Sequence, residues 1–192
     1  IEQYTGGVTL TDQPTLAELK AINTHTNGAI TLATDETDRN GALSGSAIDL
    51  AAAFEGITTY KGTLEVTGAA PSGAQLATIS GATDAAITLA AGYATAITGT
   101  AAQLKTALEG ALAAQYTGAV TITVGSVAAA DVNTINTHTD GNVIGTAITS
   151  LTGSAADIVS ALTSLNTDPT SSTAVINLSL IHISEPTRLS TI

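Results

Sequence analysis

The sequence predicts an α/β fold built from three 56-residue repeats, each ordered strand, helix, strand, helix and stacked in solenoid fashion. Three observations carry that expectation. Tyr4, Tyr60 and Tyr116 recur at a spacing of 56 residues and open the same phrase. Within each copy, period-two apolar alternation takes turns with the i, i+3 apolar spacing of a short helix. Alanine and threonine supply 35 residues each of 192, against one Phe, four Tyr and no Trp, Met or Cys. Each buried side chain then removes little area from water, so the core must come from many thin contacts between stacked units. The alternative is a set of small, separate α/β or β-sandwich units, and a 56-residue unit without large aromatics is marginal alone. The repeats span 1–59, 60–115 and 116–177, the last including the start of a further strand.

The first element of each copy is a strand. Tyr4-Thr-Gly-Gly-Val-Thr-Leu-Thr, Tyr60-Lys-Gly-Thr-Leu-Glu-Val-Thr and Tyr116-Thr-Gly-Ala-Val-Thr-Ile-Thr alternate apolar residues at Val8 and Leu10, Leu64 and Val66, Val120 and Ile122. A helix follows, through Leu19 and Ile22, Leu76 and Ile79, Val132 and Ile135. Thr15 with Glu18 and Ser72 with Gln75 have the capping-box spacing, which satisfies backbone donors that the first helical turn leaves free. The third copy, Ala128-Ala-Ala-Asp131, lacks the hydroxyl. The third element is a short strand: Ile30-Thr-Leu32, Ile87-Thr-Leu89 and Val143-Ile144. Capping-box spacing then recurs in Ser46 to Asp49, Thr100 to Gln103 and Ser154 to Asp157, entering a second, Ala-rich helix. Its buried face uses Leu50 and Phe54; Leu104 and Leu108 with Leu112; and Ile158 with Leu162 and Leu165. A helix between neighbouring parallel strands must cross over right-handedly, which stacks successive units. Neither end carries a polar cap: the chain starts almost on a strand phrase, and Thr173-Ala-Val-Ile-Asn177 reads as another strand. Open strand-like ends invite pairing with the next molecule.

Leu178 to Arg188, Leu-Ser-Leu-Ile-His-Ile-Ser-Glu-Pro-Thr-Arg, resembles the translation of a transposon-based sequencing adapter over eleven consecutive residues. Residues 178–192 are therefore expected to be a non-native tail and are set aside from fold reasoning. The triplet Asn177-Leu178-Ser179 takes its serine from that tail and counts for nothing as a glycosylation site.

Composition removes whole classes of function. Sixteen acidic residues against five basic ones give a net charge of −11, with no footprint for a nucleic-acid backbone. No apolar run reaches membrane-spanning length. The absence of cysteine excludes a disulfide scaffold and a thiol nucleophile. No Ser–His–acid set, paired carboxylate or phosphate loop is local in the sequence, so no enzyme is expected.

Three features are candidate sites. His25 and His138 occupy equivalent Asn-Thr-His-Thr phrases and could share a metal, but an imidazole at a helix end beside the last carbonyls is the preferred reading. Asp35, Glu36, Asp38 and Asn40, followed by Gly41, alternate oxygens as a calcium loop does. The twelfth position from Glu36 is Ala47, so the closing Glu is missing and a solvated loop is the default. Threonines beside the strand apolars could form a hydroxyl ladder for a glycan, a ladder that Glu65 interrupts in the second copy. No cofactor is expected beyond that calcium candidate.

The phrases Ala130 to Thr139 and Leu151 to Ile158 resemble repeat modules of large secreted bacterial surface proteins. That resemblance implies extracellular or cell-surface display and a structural or adhesive role. The expectation is a structural subunit that joins head to tail with copies of itself into an extracellular filament. The alternative is a glycan- or surface-binding repeat module of a long adhesin.

Overall fold

The computed structural model describes residues 2–32, 41–167 and 175–178 of the chain. It is an α/β protein in which short strands and helices alternate and the strands form several small parallel sheets. In chain order the elements are β1 (Val8–Thr9), α1 (Leu16–His25), β2 (Ile30–Thr31), β3 (Leu43–Ser46), α2 (Ala47–Phe54), β4 (Leu64–Thr67) and α3 (Gly73–Ala82). They continue with β5 (Ile87–Leu89), β6 (Ile97–Gly99), α4 (Ala101–Glu109), β7 (Val120–Ile122), β8 (Ser126–Ala128) and α5 (Ala129–Thr137). The last are β9 (Val143–Ile144), β10 (Ser150–Gly153), α6 (Ala155–Ser164), β11 (Leu165–Thr167) and β12 (Val175–Leu178).

The helix starts follow the capping chemistry. Thr15, Ser72 and Thr100 close full capping boxes with Glu18, Gln75 and Gln103. Ser46 and Ser154 accept from the amides of Asp49 and Asp157, whereas Ala128 before α5 has no side-chain cap. The expected strand–helix–strand–helix order needs an addition: the phrases entering the second helices are themselves strands, β3, β6 and β10. Their pairing is long-range, Leu43 with Leu64 and Ile97 with Val120, so tertiary contacts rather than local alternation fix it.

Every strand pair is parallel, in sheets ordered β1-β2, β3-β4-β5, β6-β7-β9-β11 and β8-β10-β12. Each pair encloses a helix, as parallel pairing requires a crossover connection. Helices adjacent in sequence also pack on one another, from α1 on α2 through to α5 on α6. One continuous apolar cluster runs between sheets and helices, from Leu19 to Leu165. Aliphatic side chains dominate it, with Phe54, Tyr60 and Tyr116 as its only fully buried aromatics. None of the described helices is long and apolar enough to cross a membrane.

Candidate functional site

The phrases that recur in sequence meet in space. Tyr4, Tyr60 and Tyr116 form isolated parallel bridges with Thr26, Thr83 and Thr139, the threonines that close the helix-end phrases. All three threonines are buried. Thr26 Oγ1 donates to the Tyr4 carbonyl at 2.8 Å, Thr83 Oγ1 to the Gly62 carbonyl at 3.2 Å, and Thr139 Oγ1 to the Tyr116 carbonyl at 3.2 Å. Each hydroxyl also accepts from the amide two residues on, Gly28, Ala85 or Gly141, at 3.0 Å. A buried hydroxyl that both donates and accepts has its desolvation cost offset by those bonds. Sequence reasoning missed this latch. The signal was present: the threonine recurs in all three copies while the residue before it changes from His25 to Ala82 to His138.

The tyrosine rings bind in the other direction, to the unit that precedes them. Tyr60 Oη donates to the Gly41 carbonyl and Tyr116 Oη to the Thr95 carbonyl. Burial pushes the Tyr60 phenol up to about 12 and also raises that of Tyr116, which the hydrogen bond to Thr95 partly offsets. The glycines two residues after Tyr60 and Tyr116 are required by closeness of approach. A Cβ on Gly62 would land on the Gly41 carbonyl oxygen, and one on Gly118 on that of Thr95.

Tyr4 breaks the pattern. Its side chain is 61% exposed, whereas Tyr60 and Tyr116 are 1% exposed. Val8 and Leu10 are only partly covered, although their counterparts Leu64, Val66, Val120 and Ile122 are buried. The other end of the chain shows the converse. Leu162, eight residues after the Ser154 cap, is 37% exposed, a correction to its expected place on the buried helical face. Phe54 and Leu108, eight residues after Ser46 and Thr100, are 0% and 3% exposed. Phe54 packs its ring against Tyr60, with centroids 4.9 Å apart. Beside Leu162, the exposed Val159 takes the position that Lys105 holds in α4. The four exposed large apolar residues described all lie in the first and last units, Tyr4 and Ile48 in the first and Val159 and Leu162 in the last.

The sequence-derived sites fare differently. His25 Nδ1 lies 2.7 Å from the Ala21 carbonyl and His138 Nδ1 2.9 Å from that of Thr134, contacts that put the proton on Nδ1 and match the helix-end reading. Among the described residues no three His, Asp or Glu gather closely enough to hold a metal ion. Asp35, Glu36, Asp38 and Asn40 lie outside the described residues. The strand registers break the threonine ladder into pieces: Thr9 faces Thr31 and Thr98 faces Thr121, but Glu65 separates Ser44 from Thr88.

Two polar crevices occupy equivalent places at helix C-termini. The first, about 450 Å³, is lined by Asn23, Asn27 and Glu55 among others; the second, about 370 Å³, by Ser80, Asp84 and Glu109. Comparison with known proteins finds no family model, curated protein or solved structure that matches the chain.

Proposed function

We propose that the protein is a structural subunit of an extracellular filament, joined head to tail, with its units stacked as an α/β solenoid. The observation that carries the reading is the complementarity of the ends. The first unit exposes Tyr4 and the last exposes Leu162, and the equivalent pair inside the chain, Phe54 and Tyr60, is buried in mutual contact. An apolar patch on one end that matches a different patch on the other makes a heterologous contact, and such contacts propagate into open fibres when rotation does not close them. The narrow range of sequence offsets in the strand pairs, 21 to 25 residues, supports the solenoid stack. Thr-rich, acidic, cysteine-free composition and the likeness to bacterial surface repeats support display outside the cell.

Electron microscopy and light scattering of the purified full chain, refolded from denaturant without ligand, test the reading. Regular filaments are expected; particles that stay monodisperse monomers at high concentration refute it.

A separate observation, the two equivalent crevices, favours a second reading as a surface-binding adhesin module. There the Asn, Ser and carboxylate groups would take the hydroxyls of a glycan. Chemical-shift changes at Asn23 and Ser80 on titration with oligosaccharides, in a chain that stays monomeric, would select it.

A further inference from the structure

We propose that β12 holds the place of another strand, and that in the assembly β1 of a second copy of this chain replaces it along β10. The inference rests on the filament reading and specifies its junction. Three strands carry the Leu/Ile-Ser/Thr-Gly phrase that enters a helix, and each has a neighbour on its downstream side: β4 on β3, β7 on β6 and β12 on β10. The registers are equivalent, with Leu43 opposite Leu64, Ile97 opposite Val120 and Leu151 opposite Ile176. β4 and β7 are the strands of the tyrosine phrase, four residues beyond Tyr60 and Tyr116. β12 occupies the same seat without that phrase: 56 residues after Tyr116-Thr117-Gly118 the sequence has Ser172-Thr173-Ala174.

Among the described strands, the one that carries the phrase and has no partner on its second side is β1. It pairs only with β2 among the described strands. In copies two and three the carbonyls of Thr63 and Ala119 accept from the amides of Leu43 and Ile97, at 3.0 and 2.9 Å. The matching carbonyl in β1 is that of Gly7, and the matching amide in β10 is that of Leu151. Seating β1 on β10 of another molecule sets Val8 opposite Leu151 and Thr9 opposite Thr152. It brings Tyr4 Oη to the Thr149 carbonyl, the counterpart of Gly41 and Thr95, and covers Leu162 as Phe54 is covered. Strand addition of this kind supplies main-chain hydrogen bonds for affinity and side-chain pockets for register. Tyr4 fills the pocket, and Gly6 matches Gly62 and Gly118 in lacking a Cβ that would meet the facing carbonyl.

The chain has no native cysteine, so cross-linking reads the junction directly. Full-length Thr9→Cys protein is mixed with full-length Thr152→Cys protein, co-refolded and mildly oxidised. Neighbouring strands lie within disulfide reach. A Thr9→Cys and Ser44→Cys mixture is the control, because β4 of the same chain covers β3 beside Ser44. The expected result is a one-to-one dimer exceeding the control by about tenfold, as an in-register pair sits at a high effective concentration. Filaments in which the Thr9–Thr152 pair gives no more dimer than the control overturn the strand exchange and leave the filament reading standing. A mixture that neither polymerises nor cross-links overturns both.

Discussion

Tyr60 shows what a single side chain does in this thin core. Its ring meets Phe54, the only phenylalanine in the chain, and its hydroxyl donates to the Gly41 carbonyl of the preceding unit. Tyr60→Phe keeps the ring and is expected to cost about 1 kcal/mol, the typical net value of one hydrogen bond. Tyr60→Ala also empties the pocket and should cost about 3–5 kcal/mol, as aromatic truncations do; urea unfolding of both variants checks the difference. The phenol also sets a pH dependence. Its pKa rises from 10.0 in the unfolded chain to about 12 in the fold, so the unfolded state ionises first. That stabilisation is full below pH 10 and is lost as pH rises from 10 to 12. The melting temperature should therefore fall across that window, and less steeply in Tyr60→Phe. At the opposite extreme of pH, Asp49 is held below the usual carboxylate range by the Lys20 ammonium and the Ser46 hydroxyl. Because that pair lies at the surface, its contribution is small and screened by salt. The buried latch is a stronger test. Thr83→Val removes the hydroxyl that bridges the Gly62 carbonyl and the Ala85 amide, and should cost about 1–3 kcal/mol in the same unfolding assay.

At the scale of elements, the helix starts were readable because capping is local chemistry. A hydroxyl and an acid or amide three residues apart act within one turn, so their spacing needs no tertiary information. All five predicted hydroxyl caps accept from the expected amide, and among the described helices α5 begins at Ala128 without one. That gap makes a prediction. Ala128 is exposed and extended, with φ −73° and ψ 130°, so a serine fits there without strain. Ala128→Ser should stabilise the protein by about 1 kcal/mol, read as a higher urea midpoint at unchanged slope. The strands were less readable. β1, β4 and β7 alternate in the expected way, but β3, β6 and β10 read only as the approach to a helix. What makes them strands is a partner more than twenty residues away, and no local pattern encodes that.

For the whole molecule, the filament reading turns on two exposed apolar side chains, Tyr4 and Leu162. Leu162→Asp places a charge where the filament reading needs an apolar contact, and Tyr4→Asp does the same at the other end. Both sites are exposed, so each variant should keep the parent melting temperature within a few degrees, as surface substitutions do. Each should also abolish polymerisation, measured by light scattering. Mixing the two variants should yield dimers and no longer polymers, because one intact head and one intact tail remain in the mixture. A drop in melting temperature as large as that of a core variant would instead place these side chains in the fold of the single molecule.

The sequence by itself determined the 56-residue period, the alternation of strand and helix, the capped helix starts and the strand-forming phrase near Asn177. All of these rest on contacts within a few residues or on literal repetition. The tertiary structure decided which phrases meet: tyrosine with threonine in latches, and the tyrosine hydroxyl with the unit before it. It also revealed that Tyr4 and Leu162, written like their buried counterparts, stand exposed. Repetition in a sequence makes every copy look alike, and only the arrangement of neighbours distinguishes a covered face from an open one.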